Sequence, residues 1–301
     1  MSIVDKGKTL GENKRMVIDA HNHVNWLGYT PEKIIQNMDE NGIDVTWLLS
    51  WEAPADEIDP AMYMTKFFPG QKDLPFSDVF SAVSRFPDRF IAGYCPDPRR
   101  PDALDRLELA VEQYGVRVCG EWKLRMMFDN LDALRLYAAC GKHKIPVVVH
   151  IDYPVPLGSG KYPRSNYWYA GGIEPFERAV QKCPGTAFIG HGPGFWGHIS
   201  KDEKYLETYY PDGPVIPGGE LYRLLRDHPN LYADLSADSA RKGLSRDTEV
   251  GKEFLLEFQD RLLFARDGFS NSLLELLQFF CLPQAVLEKI LAGNAYALLS
   301  R

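Results

Sequence analysis

Short apolar runs recur along the chain, each followed by a polar loop and then an amphipathic stretch. Eight stand out: Met16–Ala20, Val45–Ser50, Phe90–Cys95, Val116–Trp122, Ile145–His150, Thr186–His191, Leu231–Leu235 and Arg261–Ala265. They are apolar on both faces, as strands of a covered parallel sheet are. Helical signals fall between them. Thr30-Pro31 opens IIQNMDEN as N-cap and first helical residue, and Gly42 closes it. Pro101-Asp102 opens ALDRLELAVEQY, which stops at Gly115, and Leu131–Cys140 and Ile173–Gln181 carry the same 3.6-residue rhythm. Eight strands alternating with helices predict an α/β fold, a (β/α)8 TIM barrel rather than an open sheet.

Three connections exceed plain turns: Trp51 to Pro75, Asp152 to Gly171 and Gly192 to Pro217. All leave the C-terminal ends of strands, the face on which such barrels build their sites, so the expected barrel is distorted and has long loops there. Residues 1–14 read as a polar N-terminal arm and 15–301 as a single barrel domain.

Composition narrows the function. The 301 residues are 45% hydrophobic, enough for a sizeable core without staples. A net charge of −7 argues against nucleic acid as a partner, because phosphate binding needs a basic surface. No apolar run approaches the ~18 residues of a membrane span. The polar start lacks a signal-peptide core, and five scattered cysteines, never in a C-x-x-C pair, read as reduced thiols; both features predict a cytoplasmic protein.

The chemistry-bearing residues stand at strand ends. The first strand closes V-I-D-A-H-N-H, and strand alternation points His21 and His23 the same way, as two ligands of one ion require. The fifth ends in His150, the sixth in His191 and the eighth in Asp267. Each alone has an ordinary explanation: a hydrogen-bonded core histidine, or an Asp capping the next helix. Together they put four of the seven histidines on the site-forming face, while His143, His198 and His228 read as surface or packing residues. The fourth strand, R-V-C-G-E-W-K, places Arg117, Cys119, Glu121 and Lys123 on one face by alternation. Glu121 is a candidate metal ligand, and Lys123 a partner for a substrate anion or for Glu121 itself.

This constellation resembles the amidohydrolase superfamily, and most closely its amidohydrolase-related group of metal-dependent hydrolases and decarboxylases. The likeness runs from about Val17 to Leu299 and includes Gly293-Asn294-Ala295 near the end. It implies that His21 and His23 bind the more buried metal, that His150 completes the set, and that Asp267 is both ligand and proton acceptor. It also implies that His191 binds a second metal or hydrogen-bonds the reacting group. Glu121 and Lys123 both fit the fourth-strand position, which leaves one or two ions, with zinc expected and manganese or iron as alternatives. The resemblance further implies a possible homo-oligomer.

The expected reaction is hydrolysis of a C–N or C–O bond in a small amide, cyclic amide or lactone by a metal-activated water. One alternative is decarboxylation of a small unsaturated acid, with Lys161, Arg164 or Arg266 as a cationic clamp. Another is a metal- or ligand-binding protein without turnover. The loop Tyr162 to Gly172 offers Arg164 and Trp168 as further substrate contacts, suited to a flat or anionic small molecule.

Overall fold

The computed structural model describes residues 15–52, 74–151, 172–208 and 210–300. The N-terminal arm and the substrate candidates Lys161, Arg164 and Trp168 lie outside the described residues. Among the described residues eight parallel strands follow one another: β1 (Ile18–Asn22), β2 (Val45–Leu48), β3 (Phe90–Ala92), β4 (Cys119–Trp122), β5 (Val147–His150), β6 (Phe188–His191), β7 (Leu231–Asp234) and β8 (Leu262–Leu263). They pair in chain order as two sheets, β1 to β3 and β4 to β8. Backbone bonds bridge both seams. Gly93 and Val118 form a parallel bridge between the third and fourth strands, and the Ala20 N–H donates to the Phe264 carbonyl at 3.0 Å beside β8. The architecture is the distorted α/β TIM barrel that the strand pattern predicts.

The helices form where local chemistry starts and stops them. Thr30 caps Pro31–Glu40 through Lys33 N–H, with Pro31 in the first turn. Asn130 caps Leu131–Lys142 through Asp132 N–H. Gly115, left-handed at φ 67°, ends Ala103–Tyr114. The expected long connection after the sixth strand is partly helical, with short turns at Pro193–Trp196, Gly197–Ile199 and Lys204–Leu206. Among the described residues no helix is long and apolar enough to cross a membrane.

The core has two shells. The larger lies between the strands and the surrounding helices. The smaller fills the barrel with Ile18, Ala20, Trp47, Leu49, Val118, Val148, Ile189, Tyr232, Leu263 and Ala265, joined from the C-terminal segment by Ala292, Ala295 and Leu298. These strand residues show which face points inward. On β5 to β8 simple alternation carries the inward face up to His150, His191, Asp234 and Asp267.

On β1 and β4 it does not. Ile18 and Ala20 point inward, so strict alternation would send His21 outward with Asp19; the register shifts between Asp19 and Asn22. On β4 alternation would group Glu121 with Cys119, which packs in the outer shell together with Trp122. The register shifts between these two residues, and Glu121 turns to the inner face. The single-face reading of Arg117, Cys119, Glu121 and Lys123 is thus corrected: an irregularity in each strand re-aims the side chain that matters.

Candidate metal centre

At the C-terminal mouth the inward side chains converge. Nε2 of His21 lies 3.3 Å from Nε2 of His23. Glu121 stands 3.9 Å from the first and 3.5 Å from the second, and Asp267 4.0 Å and 3.6 Å from them. Nε2 of His191 is 3.7 Å from Glu121 and 3.8 Å from Asp267. Nδ1 of His150 is 2.8 Å from Glu121 Oε1. All six residues expected to hold metal are therefore brought together, drawn from β1 and the residue directly after it, from β4, β5 and β6, and from the segment after β8.

Three of the four imidazoles are held from behind, by groups outside the cluster. His23 donates its Nδ1 proton to the Leu49 carbonyl at 2.8 Å, which leaves Nε2 as a bare lone pair facing the cluster. The Nδ1 atoms of His21 and His191 lie 2.7 Å and 3.0 Å from the two oxygens of Asp234. Ser236 donates its hydroxyl and its backbone N–H to Asp234 Oδ1, and its hydroxyl oxygen is 2.8 Å from His191 Nδ1. Asp234 is fully buried and was not among the expected site residues. The available signal was an acidic residue closing the apolar run L-Y-A-D at the level where other strands end in histidine.

The charges reinforce one another. Burial opposes ionisation of Asp234, but His191 and His21 outweigh it and hold the carboxyl far below the usual range. Burial likewise resists a charge on His21, yet Asp234, with Asp267 and Glu121, raises its pKa to about 9. Glu121 stays ionised against its burial through the charge of Lys123 and through His150. Burial and Lys123 push His150 down to about 3, so it is a neutral imidazole at pH 7.

The donor set fits a divalent ion. Two donors about 2.1 Å from one ion stand at most about 4.2 Å apart, and the separations among His21, His23, Glu121, His191 and Asp267 given above run from 3.3 to 4.0 Å. Asp267 Oδ1 is buried and accepts no hydrogen bond among the described residues. Carboxylate oxygens and imidazole nitrogens packed this closely call for positive charge among them, which a divalent ion would supply in place of the proton on His21. The ligand atoms fall into three groups: His21–His23–Glu121, Glu121–His150–His191 and His21–His191–Asp267.

Other expected residues go elsewhere. Arg266, expected as a substrate clamp, is a correction. Its guanidinium is nearly buried, and its Nε donates to Asp19 Oδ2 at 2.9 Å. Its NH1 reaches Asn37 and Asn271 at 2.7 and 3.4 Å. An arginine inside the barrel wall needs such partners, and they take it out of substrate reach. Lys123 is half-buried at the mouth, with Nζ 4.5 Å from the centre of the Trp51 ring. Trp26 packs edge-on to His23 at 5.4 Å, and Tyr29 stacks on Phe269 at 3.7 Å. The helix Ser272–Phe279 takes Asn271 as its N-cap residue, so Asp267 is not the capping residue. Gly192, directly after His191, sits at φ 95°, and a Cβ there would stand 2.7 Å from the Ile151 carbonyl oxygen.

A family model described as amidohydrolase matches residues 18–301. The chain belongs to the amidohydrolase family. Among curated proteins none matches the sequence. Solved structures share the fold at low identity. A 2,6-dihydroxybenzoate decarboxylase from Rhizobium is 16% identical, with 95% of this chain and 99% of that one covered, at a TM-score of 0.60. A dihydroxybenzoic acid decarboxylase from Polaromonas, with bound manganese and the inhibitor 2-nitroresorcinol, is 17% identical over 95% and 97%, at 0.61. A probable 2-pyrone-4,6-dicarboxylic acid hydrolase from Acinetobacter baumannii, with citric acid bound, is 11% identical over 95% and 99%, at 0.57.

Proposed function

We propose that this protein is a metal-dependent hydrolase that cleaves a C–N or C–O bond of a small amide, cyclic amide or lactone with two divalent ions at the barrel mouth. One observation carries the reading: Glu121 belongs to two donor groups at once, with His21 and His23 on one side and with His150 and His191 on the other. A carboxylate has two oxygens and can serve both. Asp267 lies against the imidazoles of His21, His23 and His191 and forms a third donor group with His21 and His191. The mixed imidazole and carboxylate set suits zinc; manganese, bound in the Polaromonas structure, is the alternative.

A bound ion of this kind lowers the pKa of water from 15.7 toward ~7 and polarises a carbonyl. The chain supplies the rest. Asp267, with its side chain 16% exposed, takes the proton of the attacking water and returns it to the departing nitrogen or oxygen. Asp234 keeps the protons of His21 and His191 on Nδ1, so that both Nε2 atoms face inward. Lys123 offers its ammonium to an anionic group of the substrate.

A second reading, decarboxylation of a small unsaturated or aromatic acid, is favoured by the pairing of Lys123 with the flat face of Trp51 at the mouth. A cation beside an aromatic surface suits a planar carboxylate. One experiment separates the two: protein loaded with zinc or manganese is screened against lactones, cyclic amides and aromatic acids, with acid release and carbon dioxide followed in parallel. Carbon dioxide without hydrolysis rejects the hydrolase.

A further inference from the structure

The wall behind the metal centre contains a second buried constellation that no part of the chemistry above uses. Asp19 is fully buried on β1, two residues before the first histidine. Its Oδ1 accepts the backbone N–H of Arg266 at 2.9 Å and, more weakly, that of His21 at 3.4 Å. Its Oδ2 accepts Nε–H of Arg266 at 2.9 Å and the Asn22 amide at 3.1 Å. Asn22 also donates to the Gly268 carbonyl at 2.9 Å, while its own oxygen accepts His23 N–H at 2.9 Å. Between these bonds, Asp267 N–H donates to the His21 carbonyl at 2.8 Å.

Three consecutive residues after β8 are thus tied to β1: Arg266 by Asp19, Asp267 by His21 and Gly268 by Asn22. The middle one needs the restraint. Asp267 has φ 51°, the left-handed region that a residue with a Cβ adopts reluctantly. Such a conformation persists where the surroundings over-determine it. Left free, the segment would relax and swing the carboxylate away from His21 and His23.

We propose that Asp19, acting with Arg266 and Asn22, is the positioning residue of the metal centre: it fixes the ligand Asp267 against the ligands His21 and His23 without touching ion or substrate. The proposal rests on the reading of this cluster as a metal site. It differs from an ordinary buried ion pair in predicting that losing the Asp19 bracket weakens metal binding even where the fold survives.

The test uses the whole protein and Mn2+ alone as probe. Its affinity is measured by competition with a chromophoric chelator and by the electron-spin resonance of free Mn2+, with unfolding followed separately. The double variant Asp19→Asn with Arg266→Gln removes both buried charges together, turns one acceptor oxygen of residue 19 into a donor, and withdraws the guanidinium from Asn37 and Asn271. Asn22→Ala removes the strut to Gly268 together with its bonds to Asp19 and to His23 N–H, leaves the Asp19–Arg266 pair in place, and serves if the double variant does not fold. Arg246→Gln is the control: it breaks a different buried cluster, in which Arg246 binds Asp202 and the carbonyls of Asp212, Gly213 and Pro214. Tenfold to hundredfold weaker Mn2+ binding in the folded Asp19 and Asn22 variants, with wild-type affinity in the destabilised control, is expected. Affinity within threefold of wild type in a folded Asp19 or Asn22 variant overturns the positioning role while leaving the metal centre standing. If the wild-type protein binds no Mn2+ or Zn2+, the metal centre itself is wrong, and this role falls with it.

Discussion

Oδ2 of Asp234 lies 2.7 Å from Nδ1 of His21, while the other oxygen of the same carboxylate lies 3.0 Å from Nδ1 of His191. One buried group thereby sets the tautomer and the aim of two imidazoles on non-adjacent strands. Asp234→Asn cannot accept from both rings. Metal affinity is expected to fall tenfold to hundredfold, as for other groups that orient histidine ligands. Chelator competition measures it, and affinity within threefold of wild type rejects the orienting role.

His21 and His23 face each other across 3.3 Å. The double variant His21→Ala with His23→Ala removes both nitrogens from the most crowded corner. Protein purified without chelator is expected to carry zinc, manganese or iron, and the double variant essentially none, with its circular dichroism retained. Equal metal content by elemental analysis in the two proteins contradicts the site.

Glu121→Gln tests the metal count. Glutamine fills the same space but has one oxygen and no charge, so it cannot serve two ions. The wild type is expected to saturate near two ions per chain and the variant near one or fewer. If instead Glu121 only pairs with His150 and Lys123, stoichiometry stays unchanged and stability falls. Titration with elemental analysis separates these outcomes.

Asp267→Asn isolates the proton transfer. Asn tolerates the left-handed backbone at this position as well as Asp does, so the thermal midpoint should shift little. It cannot take a proton, and turnover is expected to fall by roughly 10²- to 10⁴-fold. Activity within about threefold of wild type, on any substrate the screen identifies, eliminates Asp267 as the proton acceptor.

His198 provides a pH test away from the metal centre. It is buried and packs against Tyr205, ring centres 4.4 Å apart. Burial lowers its pKa from the ordinary 6.5 to about 4. Between these values the unfolded chain takes up a proton that the folded protein refuses. Stability is therefore fully present above pH 6.5 and is lost as pH falls toward 4, by about 3 kcal/mol in all. Urea unfolding across that range should show the decline in wild type and a shallower one in His198→Gln; parallel curves for the two proteins refute the assignment.

Much of this was legible in the sequence, because strand ends in a parallel barrel share one face. The abrupt polar residues His150, His191 and Asp267 after apolar runs marked that face directly, and alternation carries each inward. Alternation failed where the backbone breaks register. The shifts at Asp19–Asn22 and Cys119–Trp122 turn His21 and Glu121 inward, and nothing in the residue types announces an irregular strand. Asp234 was hidden for another reason: an orienting residue carries no ligand motif and resembles any polar strand end. Arg266 misled because an arginine beside a site residue looks the same whether it reaches outward for an anion or backward to a buried Asp19.

The barrel interior is shared between the beginning and the end of the described chain. Ile18 and Ala20 of β1 belong to the same packed cluster as Ala292, Ala295 and Leu298, and Ala20 also bonds to Phe264 beside β8. During synthesis β1 therefore leaves the ribosome long before its packing partners exist. Its inward apolar face waits for these partners until residues 292–298 emerge. Contacts this distant in sequence are slow to form, because loop closure must come first. The inward face of β1 is thus among the last parts of the core to be sealed.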